Sequence, residues 1–213
     1  MTHDLDPNGL IDHLVYGTSD LDGAVARIEE ATGVRPAEGG RHIGKGTRNY
    51  LLALSDTAYL EVIGLDADNP PEPEVSVPFG VDGLDADRLL TWAIHPGDID
   101  GTIVKCRRYG ADHGKLHPMS RDDGKGNELQ WQLTVADPMP FDGLAPFLID
   151  WGDTPHPAAS GIPRAELTSF EITSPDAETL GKLYADLRLA QRPVDGPVGM
   201  RATISGPKGS IEL

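Results

Sequence analysis

The residues best placed for chemistry in this sequence are a histidine and a glutamate, each set in the middle of an apolar run. His13 lies in Ile11-Asp12-His13-Leu14-Val15-Tyr16, and Glu61 in Ala58-Tyr59-Leu60-Glu61-Val62-Ile63-Gly64. Strand alternation puts Ile11, His13 and Val15 on one face, with Asp12, Leu14 and Tyr16 on the other; Glu61 shares its face with Tyr59 and Ile63. A carboxylate flanked by apolar residues is expensive to bury unless it is paired, hydrogen-bonded or bound to a metal. Neutral imidazole and ionised carboxylate together suit a divalent ion. A His–Glu hydrogen bond inside a sheet, or a glutamate on a solvated edge, accounts for the same two residues.

Two further groups carry polar side chains at strand ends. Gly39-Gly40-Arg41-His42-Ile43-Gly44-Lys45-Gly46-Thr47 matches part of a phosphate loop, but Gly46 stands where magnesium binding needs Ser or Thr. The following Asn49–Leu54 reads as a strand where that loop requires a helix, which excludes a nucleotide site. Arg41, His42, Thr47, Arg48 and Asn49 remain as donors for an oxyanionic or carbonyl substrate, or as the solvated tip of a hairpin. In Trp151-Gly152-Asp153-Thr154-Pro155-His156-Pro157 the prolines stiffen the chain. Either Asp153 and His156 face a cleft, or Trp151 closes the core while Asp153 caps a turn. No Gly-x-Ser-x-Gly elbow and no His-Glu-x-x-His helix occurs, so nucleophilic hydrolysis is not indicated. Cys106 is the sole cysteine, so no internal disulfide and no all-cysteine zinc site can form; its apolar helix stripe marks it as an inert core thiol.

These residues hang on a phrase written three times: a short apolar strand, an acidic helix start, then an amphipathic helix. The starts fall at Ser19, Gly97 and Ser174, a spacing of about 77–78 residues that suits a repeated α+β module. Ser19 and Ser174 are natural N-caps, Asp22 falls at the third helical position, Pro175 at the first, and Gly33 and Gly110 offer stops. The apolar stripes are Leu21, Val25 and Ile28; Ile99, Ile103, Cys106 and Tyr109; and Leu180, Leu183, Tyr184 and Leu187. Three extended segments follow each helix, separated by turns such as Asp122-Asp123-Gly124-Lys125-Gly126-Asn127. The class is therefore α+β, built from three βαβββ modules at residues 10–66, 88–151 and 165–213. Pro-rich linkers at 67–87 and 152–164 join them into one compact unit. Aligning the modules places Thr91 and Thr168 near His13, and Asp150 and Glu212 near Glu61. An acidic residue thus recurs at one strand position in all three, while the histidine occurs once.

The formal net charge of −16 argues against nucleic acid or an anionic membrane surface as partner. Hydrophobic content of 38% with 24% charged residues fits a globular protein and not a disordered one. No apolar run reaches membrane-span length, and the opening Met1–Asp6 lacks a signal-peptide pattern, so the expected location is the cytoplasm.

The runs around His13, Asp20-Leu21-Asp22, Gly40-Arg41-His42, Gly46-Thr47-Arg48-Asn49, Tyr59–Gly64 and Phe147–Pro157 resemble glyoxalase-like domains of the vicinal oxygen chelate superfamily. The resemblance implies curved mixed sheets with helices outside, in which paired modules close around a site. It also implies a divalent metal (Zn, Ni, Mn or Fe) held by His or Glu from first and last strands, acting as a Lewis acid on vicinal substrate oxygens. His13 and Glu61 match the ligand positions; the further ligand is Asp150 if module two pairs, or Glu212 if module three pairs. His42 or Glu61 would act as base, and Arg41, Thr47, Asn49, Asp153 and His156 would hold substrate. Two functions follow: a metal-dependent lyase, isomerase or dioxygenase on a small oxygen-rich or carbonyl metabolite, or a metal-free binding or sequestration protein. Since three modules leave one unpaired, a homodimer is expected.

Overall fold

Three aspartates start the three helices. In the computed structural model, which describes residues 5–122 and 128–213, the carboxylates of Asp20, Asp98 and Asp176 each accept from the amide three residues on. The partners are Gly23, Gly101 and Thr179, at 3.1, 2.9 and 3.2 Å. Each bond satisfies one of the amides that a helix leaves open at its first turn. Helix α1 spans Leu21–Thr32, α2 Ile99–Arg108 and α3 Ala177–Asp186. Ser19 and Ser174 are therefore not the caps. Thr18 and Ser174 instead accept from the amides of Asp20 and Asp176, turning the chain so that the aspartate takes the cap position. Gly33 ends α1 in the left-handed region at φ 77°, as expected. The predicted stripes are buried in α1 and α3; in α2 Cys106 is buried, and its thiol is pushed up to about 11 by that burial. An inert thiol fits this environment.

Eight strands form one mixed sheet: β1 (Ile11–Gly17), β2 (Ala37–His42), β3 (Thr47–Ala53), β4 (Tyr59–Leu65), β5 (Arg88–Ile94), β6 (Leu116–Asp122), β7 (Glu128–Thr134) and β8 (Phe147–Asp150). Their order is β2-β3-β4-β1-β5-β8-β7-β6. Outward from the central antiparallel β1–β5 pair, each half repeats one scheme: a parallel neighbour, β4 or β8, and then two antiparallel strands. The two outer strands, β2 and β6, come into contact, so the sheet curls around its inner face. The turn expected at residues 123–127 and the first four residues lie outside the described residues.

The remaining strands, β9 (Glu166–Ser174), β10 (Val194–Asp195), β11 (Gly199–Ser205) and β12 (Ser210–Glu212), form a second sheet in the order β10-β9-β11-β12. Here the first strand pairs with the third and not with the last, so β12 lies at an edge. This unit finds its packing partner within the chain, on the outer face of the curled sheet. Trp92 of β5 meets the rings of Phe170 and Tyr184 edge-on at 5.2 and 5.5 Å. The Trp92 indole and the Tyr184 hydroxyl both donate to the Leu144 carbonyl at 2.7 Å, so neither polar end is buried unpaired. Truncating a core tryptophan such as Trp92 costs about 3–5 kcal/mol.

The outer core joins both sheets and the helices, whereas Val15, Ile63, Ala93, Trp131, Phe147 and Ile149 form a smaller cluster on the inner face. Strand β1 does not alternate as its sequence suggests. Ile11 pairs with Ile94 and His13 with Ala93, so Asp12 is the extra residue of a β-bulge. The bulge sends Ile11 to the outer core with Leu14 and frees Asp12 and His13 to turn toward each other. The 67–87 stretch also does more than link, since its 3-10 turn at Pro78–Gly83 covers the inner face. Among the described residues no helix is long and apolar enough to cross a membrane.

Candidate active site

The curled sheet encloses a cavity of about 710 Å³, within the range of small-molecule sites. Parallel pairing of β1 with β4 brings His13 level with Tyr59, and the two rings stack at 4.6 Å with 17° between planes. Phe147 of β8 meets His13 edge-on at 5.3 Å. Held in this way, His13 places Nε2 3.8 Å from Glu61 Oε2. Both side chains are buried, and both line the cavity. On β3, Asn49 Nδ2 donates to Glu61 Oε1 at 2.5 Å. His42, at the end of β2, bonds Thr47 Oγ1 through Nδ1 at 2.8 Å and sets its Nε2 3.7 Å from Glu61 Oε1.

Asp12 forms the hub behind this group. Its Oδ1 meets His13 Nδ1 at 2.6 Å, while Oδ2 meets His95 Nδ1 at 3.0 Å, Trp151 Nε1 at 2.9 Å and His156 Nε2 at 3.2 Å. Burial by itself would raise the Asp12 carboxyl, but hydrogen bonds from His13, His156 and His95 hold it well below its ordinary value. The bond to Asp12 in turn raises His95, against its partial burial. Across the cavity Met119, Trp131, Leu133, Phe147 and Ile149, on the second half of the sheet, give an apolar and aromatic wall, and Phe79 joins the lining. Phe79 is held at φ 56°, a conformation costing about 1–3 kcal/mol, and its ring lies 5.8 Å from that of Phe147. His113, the buried titratable group on this side, has no partner for Nε2, and desolvation lowers it to about 4.

The expected site residues separate cleanly. His13, His42, Asn49 and Glu61 meet in the cavity, and Thr47 supports His42 from below. Arg41 turns away to Asp66 and Asp68, at 3.1 and 3.3 Å. Asp150 is exposed and accepts from the Gly152 amide at 2.9 Å, because the inward position at the end of β8 belongs to Ile149. Glu212 lies exposed on β12, in the other sheet. Asp153 is exposed, and His156 serves Asp12 and not the cavity. Asp12, His95 and His113 escaped the sequence reading, and Trp151, read there as closing the core, donates to Asp12; the adjacency of Asp12 and His13 was the available signal, but alternation assigns them to opposite faces.

The metal site implied by the resemblance needs ligands from both halves. His13 and Glu61 supply two, but across the central pair Thr91 donates its hydroxyl to the Gly143 carbonyl, and Ile149 has no donor atom. Neither Asp150 nor Glu212 reaches the cavity. The expected donor set is therefore incomplete, and the further imidazole beside the pair is His42, with Nε2 3.7 Å from Glu61 Oε1. Among the described residues, the ligand atoms of Asp12, His95 and His156 do lie within 4.8 Å of one another, a possible metal triad outside the expected one.

The profile of the glyoxalase-like domain matches residues 11–188. The chain belongs to the glyoxalase-like domain family. Its curled mixed sheet is that of the vicinal oxygen chelate superfamily. A hypothetical protein from Staphylococcus aureus is 15% identical, with a TM-score of 0.60 over 95% of this chain and 83% of that one. A mutant of 4-hydroxymandelate synthase from Streptomyces coelicolor is 16% identical, with a TM-score of 0.50 over 97% of this chain and 62% of that one. Methylmalonyl-CoA epimerase from Mycobacterium tuberculosis is 17% identical, with a TM-score of 0.40 over 71% of this chain and 93% of that one. For the first two the likeness is one of fold alone. Comparison with curated protein sequences gives no match.

Proposed function

We propose that this glyoxalase-like protein binds a small carbonyl or oxygen-rich compound in the cavity and catalyses proton transfer at the carbon beside the carbonyl, as an isomerase or lyase does. The observation that carries the reading is His13 Nε2 facing Glu61 Oε2 at 3.8 Å in a cavity whose opposite wall is aromatic and aliphatic. A substrate carbon lying over the pair, with its C–H within reach of both groups, can lose its proton to one and regain it from the other, with the electron pair held meanwhile as the enolate. Asn49 pins Oε1 of Glu61 and leaves Oε2 toward His13. The aromatic and aliphatic wall opposite the pair lowers the local dielectric, which strengthens charge interactions beside it. No step is routed through a metal, because neither Asp150 nor Glu212 reaches the His13–Glu61 pair.

The test is exchange of α-protons for deuterium in D₂O, followed by NMR for a panel of ketones, 2-oxo acids and thioesters. Turnover-rate exchange with at least one, lowered about 10²–10⁴-fold in His13→Gln and Glu61→Gln, is the expected result. The aromatic walls favour a second reading, metal-free capture of the same class of molecule. Saturable binding with no exchange for any compound would establish capture and remove the enzyme.

A further inference from the structure

A metal triad and a hydrogen-bonded hub would place Asp12, His95 and His156 at similar distances, but they demand different protons. The Ala158 amide donates to His156 Nδ1 at 3.1 Å, so that nitrogen presents its lone pair to the backbone. In the neutral ring the proton then sits on Nε2, the atom facing Asp12. A metal on Nε2 would move the proton to Nδ1, against the Ala158 N–H, leaving two donors face to face. Trp151, an obligate donor, points its N–H at the same carboxylate oxygen. Asp12 Oδ2 is thus supplied by three N–H groups, and Oδ1 is left for His13 at 2.6 Å.

We infer that Asp12 and His13 form an acid–base dyad: Asp12 holds the His13 proton on Nδ1 and leaves Nε2 as the proton acceptor in the cavity, while His95, His156 and Trp151 hold Asp12 by hydrogen bonds and not through a shared cation. The assignment of His13 as base rests on the proton-transfer reading above; the protonation pattern of the cluster does not. A carboxylate acting on a histidine selects which nitrogen is basic and steadies the imidazolium once the proton arrives. The β-bulge makes this possible, since neighbouring side chains on a regular strand point apart and could not bond at 2.6 Å. Asp12 never touches substrate; it is a positioning residue.

The decisive measurement is the ¹⁵N–¹H NMR pattern of the histidine ring nitrogens in the intact protein above pH 7. His13 protonated on Nδ1 and His156 on Nε2 is the expected result; His13 protonated on Nε2 overturns the dyad. In Asp12→Asn the His13 pattern should move toward Nε2–H, and deuterium exchange should fall about 10²–10⁴-fold with KM little changed and the pH profile displaced. Should that variant fail to fold, the wild-type ring pattern still decides. Titration with Zn²⁺, Ni²⁺, Mn²⁺ and Fe²⁺ supplies the second arm. Retention of the NMR pattern without stoichiometric binding supports the hub, whereas one chelator-reversible equivalent lost in His95→Ala or His156→Ala overturns it. Wild-type protein with the expected pattern but no exchange on any compound would remove the proton-transfer reading and leave the hydrogen-bonded hub standing.

Discussion

The two halves of the curled sheet share one strand order and divide the labour. Strands β1 to β4 place His13, Asn49 and Glu61 inward; strands β5 to β8 place Thr91, Trp131, Leu133 and Ile149. Backbone topology is fixed by strand pairing and the outer core, which both halves satisfy with apolar residues. Inward side chains are under no such constraint, and so the halves diverge to titratable groups on one wall and chiefly apolar and aromatic ones on the other. A duplicated fold does not imply a duplicated site.

The strongest way to break this contrast is to remove polar groups from one wall and shave the other. His13→Gln and Glu61→Gln should abolish deuterium exchange by about 10²–10⁴-fold, roughly 3–5 kcal/mol of transition-state stabilisation, while binding persists. Trp131→Ala should do the reverse, raising KM about 10- to 100-fold through loss of apolar contact, with kcat nearly unchanged. Steady-state kinetics on the exchanging compound separates the two. Equal effects on kcat from both walls would erase the contrast.

Much of this was legible from residue order, and the failures have physical causes. Helices α1 and α3 follow from their apolar stripes, although the expected caps Ser19 and Ser174 gave way to Asp20 and Asp176, and His13 with Glu61 stood out as polar residues in apolar strands. The bulge at Asp12 could not be read, because a single unpaired residue leaves no mark on composition yet reverses the face of Ile11. Glu212 aligned with Glu61 by order along the chain, but hydrogen bonding put β11 next to β9 and left β12 outside. Asp150 missed the cavity by one residue, since a period of two makes its neighbour Ile149 the inward one.

Two histidines, one bonded to Asp12 behind the polar wall and one beside the apolar wall, sharpen the contrast through pH. His95 is raised by its bond to Asp12, so its contribution to stability is present below the unfolded value of about 6.5 and is lost as pH rises through its folded value. His113 has the opposite sign. Burial lowers it to about 4, so below about pH 6.5 the unfolded chain binds a proton that the folded chain refuses, and stability falls as pH drops toward 4. That loss amounts to about 3 kcal/mol. Urea unfolding between pH 4 and 8 should show an acid limb that His113→Leu flattens; a limb unchanged in the variant would show that His113 is solvated in the folded protein.

The smallest expected effects concern two glycines, one crowded in a strand bulge and one open on a helix. Gly39 is the extra residue of the bulge where β2 meets β3, and a Cβ there would overlap Asn49 Oδ1 and come within 2.9 Å of Leu51 Cγ. Gly39→Ala should therefore push Asn49 off Glu61, costing about 1–3 kcal/mol and slowing exchange along with it. Gly181, inside α3, has nothing within 4 Å of a built Cβ, so Gly181→Ala should stabilise the protein by about 0.5–1 kcal/mol without touching exchange. Thermal or urea denaturation measures both. Because Asn49 Nδ2 grips the oxygen of Glu61 that faces away from His13, a Gly39→Ala protein that keeps full exchange would mean Glu61 holds its place without Asn49, and that the reactive wall depends on strand geometry alone.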